Sequence, residues 1–224
     1  MDAIKRKLIV FAKAPIAGHA KSRMIPLLGA EGAAQLHREI TRWLLNKLSH
    51  RVESGATGKK YETELWAASD MEHPFFKECV AKFDITLKQQ QGSDLGERQF
   101  LAIERTLVEN EHVVVIGSDV VSLTRGDIQD AFQTLEQGYE LVISPAEDGG
   151  YGLIGCSKIE RGIFDEILWG RELVYKGMVN NLNRRNYNWK QLPEVWDLDR
   201  PDDLIRLSLE PNLPPKISQL FENI

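Results

Sequence analysis

The chain has 224 residues, of which 42% are hydrophobic and 27% are charged, and its formal net charge at pH 7 is −5. This composition is typical of a globular protein, and the length is sufficient for one large domain. No apolar run approaches the length of about eighteen residues that a membrane-spanning helix needs. The acidic balance argues against a broad basic surface for nucleic acid. We therefore expect a water-soluble protein with no membrane span and no nucleic-acid partner.

The N-terminal segment and the cysteines indicate the cellular compartment. The apolar run after "MDAIKRK" ends at Lys13, and no small-residue cleavage site follows it. We therefore expect no secretory signal and a cytoplasmic protein. Cys79 and Cys156 lie far apart and share no ligand spacing with histidines. We expect both to be buried small apolar residues rather than a disulfide or zinc ligands.

The first half of the chain alternates short apolar runs with longer segments of helical periodicity. In chain order it predicts a strand over 7–13, a helix over 30–50, a loop over 54–60, strands over 61–69 and 84–90, and a helix over 95–109. The helix over 30–50 carries the strongest signal, because Leu36, Ile40 and Trp43 fall on one face.

The second half continues the alternation. It predicts a strand over 112–118, a helix over 124–138 with Thr124 as its N-cap, a strand over 139–145, a helix over 172–185, and a helix start near Pro201. Strands that alternate with helices predict a mostly parallel sheet with helices on its faces. We therefore expect one α/β domain over residues 1–224, with a tail helix within 211–224.

A cationic loop follows the first predicted strand, in the segment "FAKAPIAGHAKSRMIPLLG". It contains Lys13, Gly18, Lys21, Ser22 and Arg23, whose ammonium, hydroxyl and guanidinium groups are the donors that phosphate oxygens accept from. In open α/β sheets, ligands bind beyond the carboxyl ends of the strands, which favours a phosphate site here. The loop has neither of the two commonest phosphate-binding motifs, so a solvated loop remains an alternative.

Candidate carboxylates occur in two other places, after a predicted strand and within a segment that can be extended. Asp119 comes directly after the predicted strand over 112–118, where it can be a metal ligand or the cap of a turn. Asp197 and Asp199 alternate in "VWDLDRPDDL", which places both on one face if the segment is extended. Asp199 also precedes the helix that begins at Pro201, so a capping role is open for it.

Two further clusters lie at predicted strand ends. Glu147 and Asp148 precede a Gly-Gly pair in "SPAEDGGYGLIG", where glycines permit a positive φ or a close approach to a ligand, although an ordinary hairpin also explains them. Asp94 and Arg98 stand at the start of the predicted helix over 95–109. Because arginine is electrostatically unfavourable near a helix N-terminus, we expect an external anion or an acidic partner there.

Taken together and in order, these motifs resemble a bacterial family of nucleotide-diphospho-sugar transferase-like proteins of GT-A type, which is related to nucleotidyltransferases. The resemblance covers nearly the whole chain, and it is specific for the set of motifs rather than for any one of them. It implies a single-domain, Rossmann-like, mixed and mostly parallel sheet flanked by helices. It also implies a bound nucleotide or nucleotide sugar and a divalent metal ion, Mg²⁺ or Mn²⁺.

The resemblance assigns roles to individual residues. Gly18, Lys21 and Arg23 match the phosphate loop, and Asp119 and Asp199 match metal ligands, to which we add Asp197. The turn facing the acceptor is matched by Asp148, Gly149, Gly150 and Tyr151, beside Glu147. We nominate Asp148 as the general base, with Glu147 as the alternate, because a carboxylate beside a glycine turn can reach an acceptor hydroxyl.

The resemblance leaves three functions open. The first is glycosyl transfer from a nucleotide sugar to an unknown small-molecule acceptor, in which Lys21 and Arg23 stabilise the leaving phosphate. The second is nucleotidyl transfer from a nucleoside triphosphate, with release of pyrophosphate. The third is a degenerate, non-catalytic nucleotide-binding module, because "SDVVSL" replaces the family's Cys-Pro-Asp-Leu pattern and lacks its second acid. We expect a monomer or a homodimer.

Overall fold

The computed structural model describes residues 5–49, 61–68 and 70–222. Seven strands of this part form one sheet: β1 (Arg6–Ala12), β2 (Glu62–Ala67), β3 (Thr86–Gln89), β4 (His112–Gly117), β5 (Leu141–Pro145), β6 (Tyr151–Cys156) and β7 (Trp189–Gln191). The loop predicted over 54–60 and the ends of two predicted elements, residues 50 and 69, lie outside the described residues.

The strand order across the sheet is β3-β2-β1-β4-β6-β5-β7. β6 runs antiparallel to its neighbours β4 and β5, and all other pairs are parallel. β1 lies inside the sheet between β2 and β4, where Val10 is in register with Leu65 of β2 and Ile116 of β4. Central parallel strands are covered on both faces, which is why β1 and β4 are continuous apolar runs in the sequence.

Seven α-helices lie among the described residues, five between strands and the last two after β7: α1 (Ile25–Leu48), α2 (Pro74–Lys82), α3 (Leu95–Leu107), α4 (Arg125–Glu136), α5 (Val174–Arg184), α6 (Asp203–Ser208) and α7 (Pro215–Ser218). The chain kinks at Gly29 in α1, whose φ of 70° is left-handed, so the regular helix starts where the sequence predicts it. Thr124 caps α4 in a capping box with Asp127, which confirms its predicted role.

The sequence does not predict three of these elements. α2 is short and begins at Pro74 behind the capping His73. β6 contains Gly152 and Gly155, which are typical of a turn rather than a strand. β7 has three residues, too few for a clear alternation of apolar and polar positions.

The two faces of the sheet carry separate hydrophobic clusters. Leu8 and Val10 of β1 pack with residues of α1, α2 and α4 on one face. Ile9 and Phe11 pack with residues of α3 and α5 on the other. Because successive side chains of a strand point to opposite faces, one strand serves both clusters. The predicted α/β fold, a mixed and mostly parallel sheet flanked by helices, is confirmed.

Other predictions concern the tail, the cysteines and membrane insertion. Ile217 of the tail helix α7 is fully buried and packs in a third cluster that includes Leu36 and Ile40 of α1. Cys79 and Cys156 are free and buried, as the sequence predicts. Within the described ranges, no helix combines the length and apolar character needed to cross a membrane.

Candidate active site

A cleft of about 950 Å³ opens at the edge of the sheet where the parallel strands end. β6 is antiparallel, so its first residue, Tyr151, lies at the same edge. The cleft is lined by eleven of the predicted site residues: Lys13, Lys21, Ser22, Arg23, Arg98, Asp119, Asp148, Gly150, Tyr151, Asp197 and Asp199. The fold therefore brings together residues that are separated by up to 186 positions in the sequence (from 13 to 199).

Four predicted residues do not line the cleft: Gly18, Asp94, Glu147 and Gly149. Asp94 caps α3, since its Oδ1 accepts a 2.8 Å hydrogen bond from the backbone N–H of Glu97. Glu147 accepts two hydrogen bonds from Arg206, at 2.8 and 2.9 Å, and the guanidinium of Arg206 lies 4.4 Å from the ring centre of Trp196.

Lys21 reaches into the cleft from the loop after β1. Its backbone is left-handed, with φ 48° and ψ 47°, and only 5% of its side chain is exposed. Its Nζ lies 3.0 Å from Oδ2 of Asp119 and also donates to the carbonyl oxygen of Leu198. A buried ammonium is unfavourable without partners, so these two acceptors fix its position.

Arg23 lies two residues after Lys21, in a short 3-10 turn. Its guanidinium is 59% exposed and bonds the carboxylate of Asp199. The neighbouring Ser22 is also exposed and lines the cleft. Of these two cations of the loop, Lys21 is therefore buried and Arg23 is accessible.

Asp119 follows β4 and is held by Lys21 and by the segment before α6. The N–H of Leu198 donates to its carbonyl oxygen at 2.9 Å. Its position among protein atoms disfavours the charged form, but the ammonium of Lys21, which also donates a hydrogen bond, outweighs this and keeps the pKa of Asp119 below its ordinary value. Asp119 is therefore a carboxylate at neutral pH.

Asp197 has a different environment, although it lies two residues from Asp199. The pKa of Asp197 is raised to about 7, mainly by burial and next by the negative charges of Asp119 and Asp148. Like charges disfavour a further carboxylate nearby. The effect indicates that the predicted acids of three separate segments converge at this end of the cleft.

The altered segment after Asp119 has a structural role. The hydroxyl of Ser122 donates to the carbonyl oxygen of Trp196 at 2.9 Å, and the N–H of Trp196 donates back to the same hydroxyl at 2.9 Å. Val120 and Val121 are buried. The segment therefore joins the turn after β4 to the one that carries Asp197 and Asp199, and the missing second acid does not leave Asp119 unsupported.

The turn between β5 and β6 places Asp148 at the cleft wall. Oδ1 of Asp148 accepts a 2.8 Å hydrogen bond from the N–H of Gly150, which leaves Oδ2 for other contacts. Gly149 has a φ of 85°, and its carbonyl oxygen accepts a hydrogen bond from the N–H of Tyr175. The glycine pair thus lets the turn pack closely on the start of α5.

Comparison with known proteins places this geometry in a family. The family model described as "Uncharacterized protein conserved in bacteria (DUF2064)" matches residues 52–171, which is more than half of the chain. The chain belongs to this family. A search of curated proteins gave no match.

Solved structures relate the DUF2064 chain to transferases. A crystal structure of a "putative nucleotide-diphospho-sugar transferase" from Desulfovibrio desulfuricans G20 is 27% identical, with a TM-score of 0.83, and the match covers 99% of this chain and 96% of that one. The resemblance derived from the sequence motifs is confirmed by this match. The name of that structure, a transferase, supports the predicted class of enzyme.

Two more distant structures share the fold. The inositol-1-phosphate CTP transferase from T. maritima is 12% identical with a TM-score of 0.57, covering 100% of this chain and 99% of that one. Glucosyl-3-phosphoglycerate synthase from Mycobacterium tuberculosis, solved with Mn²⁺ and uridine-diphosphate, is 10% identical with a TM-score of 0.52, covering 91% and 75%. At these identities the likeness establishes the fold of the DUF2064 chain and nothing finer.

The cleft of the DUF2064 chain also contains residues that the sequence analysis does not identify. Gln99 and Trp169 form one wall together with the predicted Tyr151, whose hydroxyl donates to Oε1 of Gln99 and whose ring lies 6.4 Å from that of Trp169. Arg171, beside Trp169, lines the same wall. Trp169 lies in the segment "FDEILWG" (164–170), in which no pattern distinguishes it from a core aromatic residue.

A second unpredicted pair lies near the first strand. The amide nitrogen of Gln90 donates to the carbonyl oxygen of Trp66, and Nε2 of His37 lies 3.0 Å from the carbonyl oxygen of Lys13. Burial lowers the pKa of His37, which favours its neutral form. Both side chains fix the backbone that borders the cleft, and a residue used in this way leaves no periodic signal in the sequence.

The predicted metal ligands do not form a metal centre in this arrangement. Among residues 5–49, 61–68 and 70–222, no group of three or more His, Cys, Asp or Glu side chains is placed to hold a metal ion. Asp119 bonds Lys21, and Asp199 bonds Arg23. Because cations of the chain already neutralise both carboxylates, the residues as arranged do not fit a divalent ion.

Proposed function

We propose that the protein is a transferase that binds a nucleotide-sugar donor in the cleft and transfers the sugar to a small-molecule acceptor. The observation that carries the proposal is the convergence of Lys21 and Arg23 with Asp119 and Asp199 at the ligand-binding edge of the sheet. The 27% identity to the structure named a nucleotide-diphospho-sugar transferase, over nearly the full length of both chains, supports the same conclusion.

The donor phosphates are expected to bind at the cationic loop. The guanidinium of Arg23 is accessible, and the exposed ammonium of Lys13 has no hydrogen bond or ion pair with the described part of the chain. Arg98 adds a third positive group, fixed by its bond from Nε to the carbonyl oxygen of Gly92 at 3.1 Å. Charge-assisted hydrogen bonds from these groups match the oxygens of a diphosphate. This is where an acidic protein would hold an anionic substrate.

In the proposed reaction, an acceptor hydroxyl attacks the anomeric carbon of the sugar and the bond between sugar and phosphate breaks. The proton of the hydroxyl passes to Asp148, and the nucleoside diphosphate leaves with the electron pair of the broken bond. Cations that bind the leaving phosphate more strongly as its charge develops lower the barrier. Asp148 is favoured over Glu147 as the base, because Asp148 lines the cleft whereas Glu147 is bound to Arg206 outside it.

Nucleotidyl transfer is the second candidate. The inositol-1-phosphate CTP transferase aligns with all of this chain, which supports a fold able to hold a nucleoside triphosphate. In that reaction the acceptor attacks the α-phosphate, and pyrophosphate leaves. The two reactions differ in their second product, so the product identifies the reaction.

The test is a thermal-shift panel of nucleoside diphosphates, nucleoside triphosphates and nucleotide sugars, each with and without Mg²⁺. A ligand that binds only the folded state raises the melting temperature by mass action. We expect stabilisation by at least one nucleotide sugar, and release of nucleoside diphosphate when acceptors are added. Pyrophosphate as the product would select the second candidate. Binding without turnover would select the degenerate binding module, and no stabilisation by any nucleotide would contradict all three.

Several finer points remain predictions within this proposal. The ion, Mg²⁺ or Mn²⁺, and its ligands Asp119, Asp197 and Asp199 are to be tested by the metal arm of the panel. A cytoplasmic location and a monomeric or homodimeric state are likewise predictions. The turn with Gly149, Gly150 and Tyr151 is proposed as the acceptor side because Asp148, Gly150 and Tyr151 border the cleft together.

A further inference from the structure

The side chain of Lys21 lies where two oxygens from different segments converge. Oδ2 of Asp119 is 3.0 Å from its Nζ, and the carbonyl oxygen of Leu198 also accepts from it. Asp119 follows β4, and Leu198 precedes α6, so the ammonium connects two strand-end segments that are far apart in the sequence. Carboxylate and carbonyl oxygens are also the ligands that hard divalent cations prefer.

The ammonium is held strongly for a side chain on a surface loop. Only 5% of the Lys21 side chain is exposed, although Ser22 and Arg23 directly after it are exposed. The backbone of Lys21 is left-handed, a conformation that is unfavourable for a residue with a side chain. Such a conformation persists where surrounding contacts fix it, and the two bonds of Nζ are those contacts.

The charges at this end of the cleft are also matched in pairs. Lys21 forms an ion pair with Asp119, and Arg23 forms one with Asp199. A divalent ion placed between these carboxylates would be repelled by two positive groups at short range, Lys21 and Arg23. The described residues offer no third carboxylate or histidine placed to complete its coordination.

We infer that Lys21 is the resident cation of this site: its ammonium fills the position between Asp119 and Leu198, and the nucleotide-free protein excludes divalent metal until Lys21 leaves. The inference deepens the proposed function, on which its role in catalysis rests. Phosphate oxygens of a bound donor are acceptors that compete with Asp119 for the ammonium. Metal binding to the protein is then coupled to donor binding through one lysine side chain.

The experiment measures Mn²⁺ binding to the nucleotide-free protein by electron paramagnetic resonance and by calorimetry. Lys21→Met keeps the aliphatic stem and removes the charge. We expect this variant to bind Mn²⁺ about tenfold or more tightly than the wild type, because it frees an oxygen of Asp119 and removes a repelling charge. The double variant Lys21→Met/Asp119→Asn is expected to lose the gain.

Lys13→Met is the matched control, because it removes the same charge from the same cleft but from a lysine that contacts no acid in the described chain. Its gain in Mn²⁺ affinity is expected to be much smaller than that of Lys21→Met, because the change frees no oxygen of Asp119. Equal affinity of the wild type and Lys21→Met, no binding by either, or an equal gain in Lys13→Met would each overturn the inference.

Folding is controlled separately. Circular dichroism verifies each variant, and Lys21→Gln, which retains a donor for the carbonyl oxygen of Leu198, replaces Lys21→Met if that protein does not fold. Mn²⁺ is expected to raise the melting temperature of the folded Lys21 variant more than that of the wild type. Since no nucleotide is present, failure of this experiment is distinguishable from failure of the proposed function, which the nucleotide panel tests.

Discussion

Gly149 and Glu172 lie in direct contact: a β-carbon at residue 149 would come within 2.0 Å of the carbonyl oxygen of Glu172. The turn that carries Asp148 is thereby packed against the segment that enters α5. The N–H of Tyr175 donates to the carbonyl oxygen of Gly149 at 2.9 Å and fixes the contact. One wall of the cleft therefore depends on the absence of a side chain at residue 149.

Gly149→Ala is expected to destabilise the protein by about 2 kcal/mol or more, because it adds a backbone clash to an unfavourable φ. The measurement is urea-induced unfolding. Gly138→Ala is the matched control: Gly138 also has a positive φ, 98°, but has open space around it. Gly138→Ala is expected to lower the free energy of unfolding by about 1 kcal/mol, from the backbone conformation alone. Equal losses at both positions would contradict a role for the contact with Glu172.

The sequence predicts the fold where the physical signal is periodic. The apolar strands β1 and β4 and the amphipathic α1 are predicted, because burial on both faces or on one face repeats with a fixed period. β6 is not, because Gly152 and Gly155 are needed for close packing: a β-carbon at 152 would lie 2.6 Å from Val195, and one at 155 would lie 2.7 Å from Val142. Spatial crowding of this kind leaves no period in the sequence.

The sequence predicts which residues belong to the site, but not which of them pair with each other. Position after a strand identifies Lys21, Arg23 and Asp119 as residues of one edge. The backbone of Lys21 is left-handed, and this conformation lets its side chain be buried against Asp119 while Arg23 stays accessible. The sequence does not indicate such a conformation at a lysine. The cleft wall that contains Trp169 comes from a segment whose aromatic residues are typical of any hydrophobic core.

Arg23→Gln is expected to weaken the binding of the stabilising nucleotide about tenfold, the effect of one charge-assisted hydrogen bond to phosphate. The change should alter stability little, because the guanidinium is mostly exposed and exposed ion pairs contribute little. Isothermal titration calorimetry measures the affinity. Arg184→Gln, an exposed arginine at the end of α5 and outside the cleft lining, is the charge-matched control. An equal loss in that variant would indicate a general charge effect.

Glu97 provides a pH-dependent contribution to stability. The N–H of Ser93, then its hydroxyl, then the guanidinium of Arg161 lower the pKa of Glu97 from 4.5 to about 2. Its folded pKa lies below its unfolded pKa, so its contribution is fully present above about pH 4.5 and is lost as the pH falls towards 2. The charged form joins the start of α3 to the turn at residues 161–164.

Glu97→Gln is therefore expected to lower the melting temperature at pH 6, and the difference from the wild type should shrink as the pH approaches 2.5. Melting curves across this range measure it. Glu104→Gln, on the same helix, is the control, because Glu104 is exposed and has no hydrogen bond or ion pair within the described ranges. A difference that stays constant with pH would show that the charge of Glu97 is not its cause.

Asp148→Asn is expected to lower turnover about a hundredfold or more and to leave the nucleotide-induced thermal shift intact, because a general base acts on the acceptor and not on donor binding. The fold should tolerate the change, since the asparagine oxygen can still accept the hydrogen bond from the N–H of Gly150. Glu147→Gln is the comparison, and its smaller loss is expected because Glu147 is bound to Arg206 outside the cleft. Turnover and thermal shift are measured on the same preparations. A lost thermal shift in Asp148→Asn would place Asp148 in donor binding instead, and the reverse order of turnover losses would identify Glu147 as the base.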